Sequence, residues 1–141
     1  MKNNKGFSLV ELIIVIAIMA ILAGALAPAL IKYINKSRKS TDISNGDLIA
    51  KAVTTALAEE AGFEACTKTS YTSTELCTDG NAFTDETHST LGASSMKVKY
   101  GDNKGDDFTI EVDKANNKCK VYAGTADAAN QVYPEQGANY K

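Results

Sequence analysis

The chain has 141 residues, 44% of them hydrophobic, and a formal net charge of -2 at pH 7, so it has room for one small domain beside an apolar segment. This near-balanced charge, without a basic face interleaved with aromatic residues, argues against nucleic-acid binding. Three cysteines without CxxC spacing allow at most one disulfide within the chain and argue against a zinc site.

The N-terminal leader, residues 1–6, is short and polar and carries Lys2 and Lys5. After it, residues 12–31 are twenty positions without a charged side chain. At ~1.5 Å of helical rise each, they reach about 30 Å, the thickness of the hydrocarbon core of a bilayer. The run predicts a helix that is apolar on every side and lies in lipid or inside a packed assembly. Because lysine and arginine flank both ends, their count does not fix the orientation.

Glu11 is unusual, because a carboxylate inside an apolar segment costs on the order of 2.5 kcal/mol or more at the membrane centre. One interpretation places it near the helix end, where its side chain reaches the interface and favours the helix dipole. The surrounding residues favour another interpretation. The stretch Gly6-Phe7-Ser8-Leu9-Val10-Glu11, after a basic leader and before a long apolar helix, resembles the processing site of type IV prepilins and the related pseudopilins.

This resemblance covers roughly residues 1–35, and the rest of the chain matches in general layout. It implies that a dedicated membrane peptidase cuts between Gly6 and Phe7 and methylates the new amine of Phe7. It also implies that Glu11 attracts the Phe7 amine of a neighbouring subunit during assembly, since opposite charges in an apolar bundle gain most by pairing.

A competing interpretation is an ordinary secretory signal, because Ala23-Gly24-Ala25 has the small-x-small form of a cleavage site. Cleavage there would remove the apolar span. An acidic residue at the start of the run, and apolar residues that continue past Ala25, argue against it.

Within the span, Pro28 lacks the N–H that would bond to the carbonyl oxygen of Gly24. Relative to alanine at both positions, the pair costs about 4 kcal/mol of helix propensity. This predicts a local kink or a melted turn over residues 24–28. The alternative is a membrane helix that tolerates both residues.

A one-sided apolar pattern continues past Pro28 with helical spacing. It comprises Ile31, Ile34, Leu48, Ile49, Ala52, Val53, Ala56 and Leu57. Residues 44–47 interrupt it, and Asp47 is a candidate cap for a second segment that runs to about Ala61 before Gly62. One bent helix or two therefore both remain open. The basic residues within 32–39 bind anionic lipid or acidic faces of neighbouring subunits, or they form a solvated face.

Residues 66–95 contain thirteen serines or threonines among thirty positions, with a turn signal at Asp79-Gly80-Asn81. This composition predicts a long irregular surface connection, either partner-facing or O-modified, or a plain linking loop. A Cys66–Cys77 disulfide would close a short loop there and restrict the unfolded chain by ~3 kcal/mol. Cys119 would then be a small buried hydrophobic residue, and other pairings stay open.

Three runs with strand periodicity follow, separated by turn-rich stretches. They are Met96, Val98, Tyr100; then Phe108, Ile110, Val112; then Cys119, Val121, Ala123. They predict an antiparallel meander covered by the helix that carries Ile49, Val53 and Leu57. Residues after Gly124 would add an edge strand or wrap the sheet. The fold class is α+β, a long N-terminal helix on a small antiparallel sheet of three to four strands, similar to the pilin fold.

Residues with catalytic or metal-binding chemistry are sparse. His88 is the one histidine and falls in the Ser/Thr-rich connection, which is poor support for a Ser-His-Asp site. The stretch 102–107 departs from the spacing of a calcium loop and places Lys104 among the ligands, so a hairpin turn explains it better. A glycine-rich phosphate loop is also missing. The sequence therefore predicts no enzyme, no metal and no cofactor.

The domain prediction is a cleaved leader at residues 1–6, an apolar helix at residues 7–32 and an amphipathic helix with an α+β head at residues 33–141. The resemblance implies a subunit held in the cytoplasmic membrane with its head outside, then polymerised into an extracellular type IV pilus for adhesion, twitching motility or aggregation. Implied partners are further copies of itself, a prepilin peptidase, and an assembly ATPase with its membrane platform. The alternatives are a pseudopilin or minor pilin of a secretion or DNA-uptake system, and a monomeric membrane-anchored binding domain.

Overall fold

The computed structural model describes residues 6–78, 80–92 and 96–141. Residues 1–5 of the predicted leader, Asp79 of the predicted turn and the end of the predicted connection at residues 93–95 lie outside the described residues. The chain divides into two compact units, Met1–Lys36 and Ser37–Lys141.

Helix α1 spans Leu9–Ala58 and remains helical across Gly24 and Pro28. The predicted melted turn at residues 24–28 is therefore wrong. Proline removes one backbone hydrogen bond, whereas the surrounding alanine and leucine residues are strong helix formers that hold the turns on either side. A kink at this point stays a prediction.

In the second unit, α1 continues through residues 44–47, so the chain does not form two helices there. Gly46 is buried, and a Cβ atom at this position would lie 2.6 Å from Cγ2 of Val132. Gly46 is therefore a packing residue and not a helix breaker. The expected end near Ala61 is also wrong, because α1 ends at Ala58 and Gly62 lies inside helix α2, Glu60–Ala65.

The expected irregular connection after Cys66 is instead mostly regular structure. It contains strand β1, Ser70–Thr72, helix α3, Ser73–Leu76, and helix α4, Ala82–Leu91. Thr72 and Asn81 cap the two helices, each through a capping box. Polar residues that suggested a loop therefore serve as helix caps, because their side chains accept bonds from the first turn.

The described residues form a four-stranded antiparallel sheet in the order β1-β2-β3-β4. Strand β2 is Phe108–Asp113, β3 is Lys118–Ala123 and β4 is Gln131–Tyr133. Short 3₁₀ helices, Lys114–Asn116 and Ala128–Asn130, precede β3 and β4. Two of the three predicted strands and the added edge strand are thus confirmed.

The predicted strand at residues 96–100 is wrong, since Lys97 makes an isolated bridge to Asp107. The backbone N–H groups of Lys99 and Tyr100 donate to the Asp42 side chain instead of to a neighbouring strand. Strand β1 takes the edge beside β2.

The core of the second unit lies between α1 and the sheet, as predicted. Ile49 and Val53 of α1 pack in one buried cluster with Phe108, Ile110 and Val121 of the sheet. Phe83 of α4 closes the cluster and lies against Tyr71, with ring centroids 5.1 Å apart. The α+β fold class is confirmed.

Candidate processing and assembly site

The residues at the predicted cleavage point lie ahead of the first helix. Gly6, Phe7 and Ser8 have no regular secondary structure. The Phe7 side chain is 88% exposed, and a Cβ atom built at Gly6 would meet no atom within 4 Å. Nothing in the described part of the chain therefore requires glycine here, and the junction is open to an external protein.

Glu11 lies in the first turn of α1, where its carboxylate accepts a hydrogen bond from the same chain. The Ser8 N–H donates to Oε2 of Glu11 at 2.9 Å, and the Leu12 N–H donates to the Ser8 carbonyl oxygen at 3.2 Å. Ser8 is thus at the N-cap position and Glu11 is the Glu of a Ser-x-x-Glu capping signal. Sequence reasoning missed this role of Ser8, although the spacing is visible in the sequence.

The Glu11 carboxylate keeps further hydrogen-bonding capacity. Among the described residues, no second donor reaches it and no lysine, arginine or histidine nitrogen lies within 4 Å. An ionised carboxylate accepts up to about four hydrogen bonds. It can therefore hold its own helix start and still receive a donor from outside the chain.

Apolar side chains cover α1 throughout the first unit and are exposed to the surroundings. The most apolar part of this helix is not buried by any other part of the described chain. By length and composition the helix can span a membrane. Exposed members include Leu9, Val10, Leu12, Ile13, Ile14, Val15, Ile16, Ile18, Met19, Ile21, Leu22, Leu26, Leu30 and Ile31.

Gly24 and Pro28 lie on this apolar helix without tertiary contacts that would require them. A Cβ atom at Gly24 would meet no atom within 4 Å, and both residues are exposed. The helix therefore accepts a weak pair of positions that packing within the described chain does not explain. Their predicted role in helix flexibility stays a prediction.

The three cysteines, Cys66, Cys77 and Cys119, are buried thiols in this structure. Burial raises the pKa of the Cys119 thiol to about 11, and burial together with the nearby Asp107 raises the pKa of the Cys77 thiol. Cys66 accepts a hydrogen bond from the Tyr71 hydroxyl at 3.6 Å. The Cys66–Cys77 disulfide stays a prediction.

The other candidates for site chemistry occupy structural positions. His88 lies half-buried on α4. The stretch 102–107 forms a turn closed by a hydrogen bond from the Gly105 N–H to the Val98 carbonyl oxygen at 2.9 Å. Across the described ranges, no group of three or more histidine, cysteine, aspartate or glutamate residues is placed to hold a metal ion.

Asp42 is a buried carboxylate that sequence reasoning missed. It accepts hydrogen bonds from the Lys99 N–H at 2.7 Å, the Tyr100 N–H at 2.9 Å and the Tyr140 hydroxyl at 3.0 Å. Burial raises the pKa of Asp42, and these three bonds oppose the shift. The sequence did carry a signal for the burial of Asp42. Gly46 follows Asp42 by four residues and Ile49 follows Gly46 by three, so all three lie on the buried face of the helix.

Comparisons with known proteins agree with these features. Residues 1–27 match the family described as the prokaryotic N-terminal methylation motif. The chain is 32% identical over 97 residues to the Type IV major fimbrial protein FimA of Dichelobacter nodosus, and the match covers 69% of this chain. The matched region covers 62% of the length of that relative, so the chain spans less than two thirds of it. The comparison with solved structures found no match.

A methylation motif at the start of an exposed apolar helix, joined to an α+β head, defines a pilin-like subunit. Such subunits are structural proteins, and their exposed apolar helix is the part that a membrane or an assembly must cover. The N-terminal motif and the fimbrial relative together support a type IV pilin family for this chain.

Proposed function

We propose that the chain is made as a prepilin in the cytoplasmic membrane, is cut between Gly6 and Phe7, and then polymerises into a type IV pilus. The observation that carries this proposal is the apolar surface of α1 in the first unit, which nothing else in the described chain covers. Such a surface is stable in lipid or in a packed bundle, and transfer between the two keeps it away from water.

Processing would create the charge that Glu11 needs as a partner. Cleavage after Gly6 leaves a methylated, positively charged amine on Phe7, next to the apolar surface. Glu11 already binds one donor near the helix start and has capacity for another. A Glu11 carboxylate and a Phe7 amine from a neighbouring subunit would satisfy each other inside an apolar bundle, where either alone is costly.

We propose a three-part organisation of the chain for this pathway. Residues 1–6 would be the removed leader, residues 7–32 the membrane and filament-core helix, and residues 33–141 the amphipathic helix with the outer head. The subunit would cross the membrane once, with its head outside. A prepilin peptidase, an assembly ATPase and a membrane platform would process and move it, and the filament would serve adhesion, twitching motility or aggregation.

The relative's printed name favours a main filament subunit over a minor one, since it is called a major fimbrial protein. Imaging of filaments from cells that lack this subunit checks this. Loss of the filaments fits the main subunit. Persistence of otherwise normal filaments would favour a minor pilin or a pseudopilin.

Intact mass spectrometry of the mature protein tests the processing step. We expect a chain that starts at Phe7 and carries one added methyl group. A chain that starts after Ala25 would overturn the proposal, because the apolar helix would then be removed with the leader. A mature subunit that stays monomeric in the presence of the assembly machinery would instead favour a membrane-anchored binding domain.

We also propose a disulfide between Cys66 and Cys77 in the mature head, since an exported head reaches an oxidising environment. Alkylation of the denatured, non-reduced chain should then label one cysteine of the three. Labelling of all three would exclude the pairing.

A further inference from the structure

Three exposed carboxylates at the end of α1 have no charged partner within the described chain. Glu59 follows the last residue of α1, and Glu60 and Glu64 lie on α2. All three side chains are exposed, and the ion pairs formed among the described residues do not include them. We name these three residues the acidic end.

The position of the acidic end adds to its negative potential. The last turn of α1 carries no basic residue, so the negative end of the helix dipole is left without a cation. Glu59 makes no capping bond to α2. The nearby Lys114 donates to the Cys66 carbonyl oxygen and lies 4.3 Å from the centre of the Phe63 ring. Cationic groups from another molecule would therefore be attracted to this end.

Three cations on α1 lack partners in the same way. Lys32, Lys36 and Arg38 are exposed, and none of them forms an ion pair with another described residue. The adjacent Lys39 differs, because its ammonium lies 4.9 Å from the centre of the Tyr100 ring and donates to the Lys141 carbonyl oxygen at 3.3 Å. We name Lys32, Lys36 and Arg38 the basic segment.

The acidic end cannot be neutralised by Arg38 of the same copy. Both are attached to one helix, and the twenty-one residue steps from Arg38 to Glu59 correspond to roughly 30 Å at the helical rise. That distance is about three to four Debye lengths at physiological salt. Each end is therefore open to a second molecule that carries the opposite charge, and another copy of this chain supplies both.

We propose that the acidic end of one copy binds the basic segment of a second, parallel copy in the filament. The inference rests on the proposed polymerisation and adds the contact that sets the register between copies. Two parallel helices that meet in this way are displaced along the axis by about 30 Å. Because different patches of the two copies meet, the contact leaves one free end of each kind and repeats without closing.

Charge reversal tests the pairing in the full chain. The acidic-end variant is Glu59→Lys with Glu60→Lys and Glu64→Lys. The matched control is Asp102→Lys with Asp106→Lys and Glu135→Lys, which changes the net charge equally at exposed carboxylates. At equal levels of mature subunit, the acidic-end variant should lose about tenfold in filament mass, whereas the control should stay within about twofold of the parent.

Recovery of filament mass by a second charge reversal tests whether the basic segment is the partner of the acidic end. Adding Lys32→Glu, Lys36→Glu and Arg38→Glu to the acidic-end variant should recover most of the filament mass, because the charges are then exchanged across the same contact. Loss that this exchange does not recover would overturn the pairing. If reversal of the basic segment alone reduces membrane retention and leaves filament mass unchanged, anionic lipid is its partner and the proposal is wrong.

Cross-linking provides a readout independent of filament yield. Filaments carrying Arg38→Cys and Glu60→Cys should give a ladder of covalent multimers on oxidation, since the three native cysteines are buried and, paired or free, react slowly with an external oxidant. Arg38→Cys with Glu135→Cys should give none. A chain that forms filaments but yields no ladder from the first pair overturns this contact and leaves polymerisation standing. If the unsubstituted chain forms no filaments with the assembly machinery present, the proposed function itself is refuted.

Discussion

The role of Glu11 can be tested by two substitutions that the structure separates. Glu11→Ala removes both the charge and the acceptor for the Ser8 N–H, which lies 2.9 Å from the carboxylate. Loss of such a cap costs about 0.5–2 kcal/mol of helix stability. Glu11→Gln removes the charge and keeps an amide oxygen for the same bond. The two variants therefore share the loss of charge and differ in the cap.

Loss of the Glu11 charge, which both variants share, should cost more free energy than loss of the helix cap. If Glu11 pairs with a Phe7 amine in the filament, either substitution leaves that amine buried without a partner, at about 3–5 kcal/mol. Since 1.4 kcal/mol is a factor of ten, assembly should fall by about 10²- to 4 × 10³-fold for both variants. The Ala variant should show one further, smaller decrease from the frayed helix start.

The assay compares filament mass with the amount of mature subunit in the membrane. Cleavage after Gly6 should persist in both variants, because the peptidase acts ahead of Glu11. Insertion should be equal or better, since a neutral residue is cheaper to place in lipid by at least ~2 kcal/mol. Failed insertion would thus not explain a loss of filaments.

Wild-type filament mass from Glu11→Gln, at equal levels of mature subunit, would refute the pairing with the amine. If only Glu11→Ala then assembled poorly, the carboxylate would serve as a helix cap. Normal assembly of both variants would favour a side chain that reaches the membrane interface and takes no part in assembly.

Other predictions concern the head and the helix. Asp42→Ala should lower the free energy of unfolding by about 3–6 kcal/mol, because three donors lose their acceptor. Tyr140→Phe should lower it by about 1 kcal/mol, because the Asp42 carboxylate loses one donor. A melting temperature equal to that of the parent, measured on the full subunit in detergent, would contradict either expectation. Since the folded chain raises the pKa of Asp42, lowering the pH through that pKa should stabilise the parent relative to Asp42→Asn, and an opposite trend in thermal unfolding would refute the sign. Gly46→Ala should cost about 1–3 kcal/mol through overpacking against β4, and an unchanged denaturant midpoint would show that the strand moves freely. Replacing Gly24 and Pro28 by alanine should slow amide exchange in the membrane helix and reduce filament yield, whereas unchanged yield and extensibility would make the pair incidental.

Features with a local repeat were predictable. The apolar run, the N-terminal methylation motif, and the strands starting at Phe108 and Lys118 depend on spacing over a few residues. The helix that covers the sheet followed from the three- and four-residue spacing of Ala52 and Val53 from Ile49. In each case the residue pattern along one helix or strand is enough to predict the element.

Features that depend on distant partners were not predictable in this way. Gly46 resembles a helix breaker until Val132 is seen against it. The run at residues 96–100 has the alternation of a strand, yet Asp42, more than fifty positions earlier, takes its backbone donors. Thr72 and Asn81 suggested a loop by composition. Each can act as a helix cap only because a helix follows it, and those helices bury Leu76 and Phe83. Long-range packing decides these cases over local preference.

The hydrogen bonds to Asp42 also set an order of events during synthesis. The three donors follow Asp42 by 57, 58 and 98 residues. At about 5–20 residues per second, the last of them is made roughly 5–20 s after Asp42. Until then the carboxylate lacks one of its three donors, so its burial on the helix face is incompletely compensated. The nascent head therefore has its full set of hydrogen bonds to Asp42 only after Tyr140 has been made.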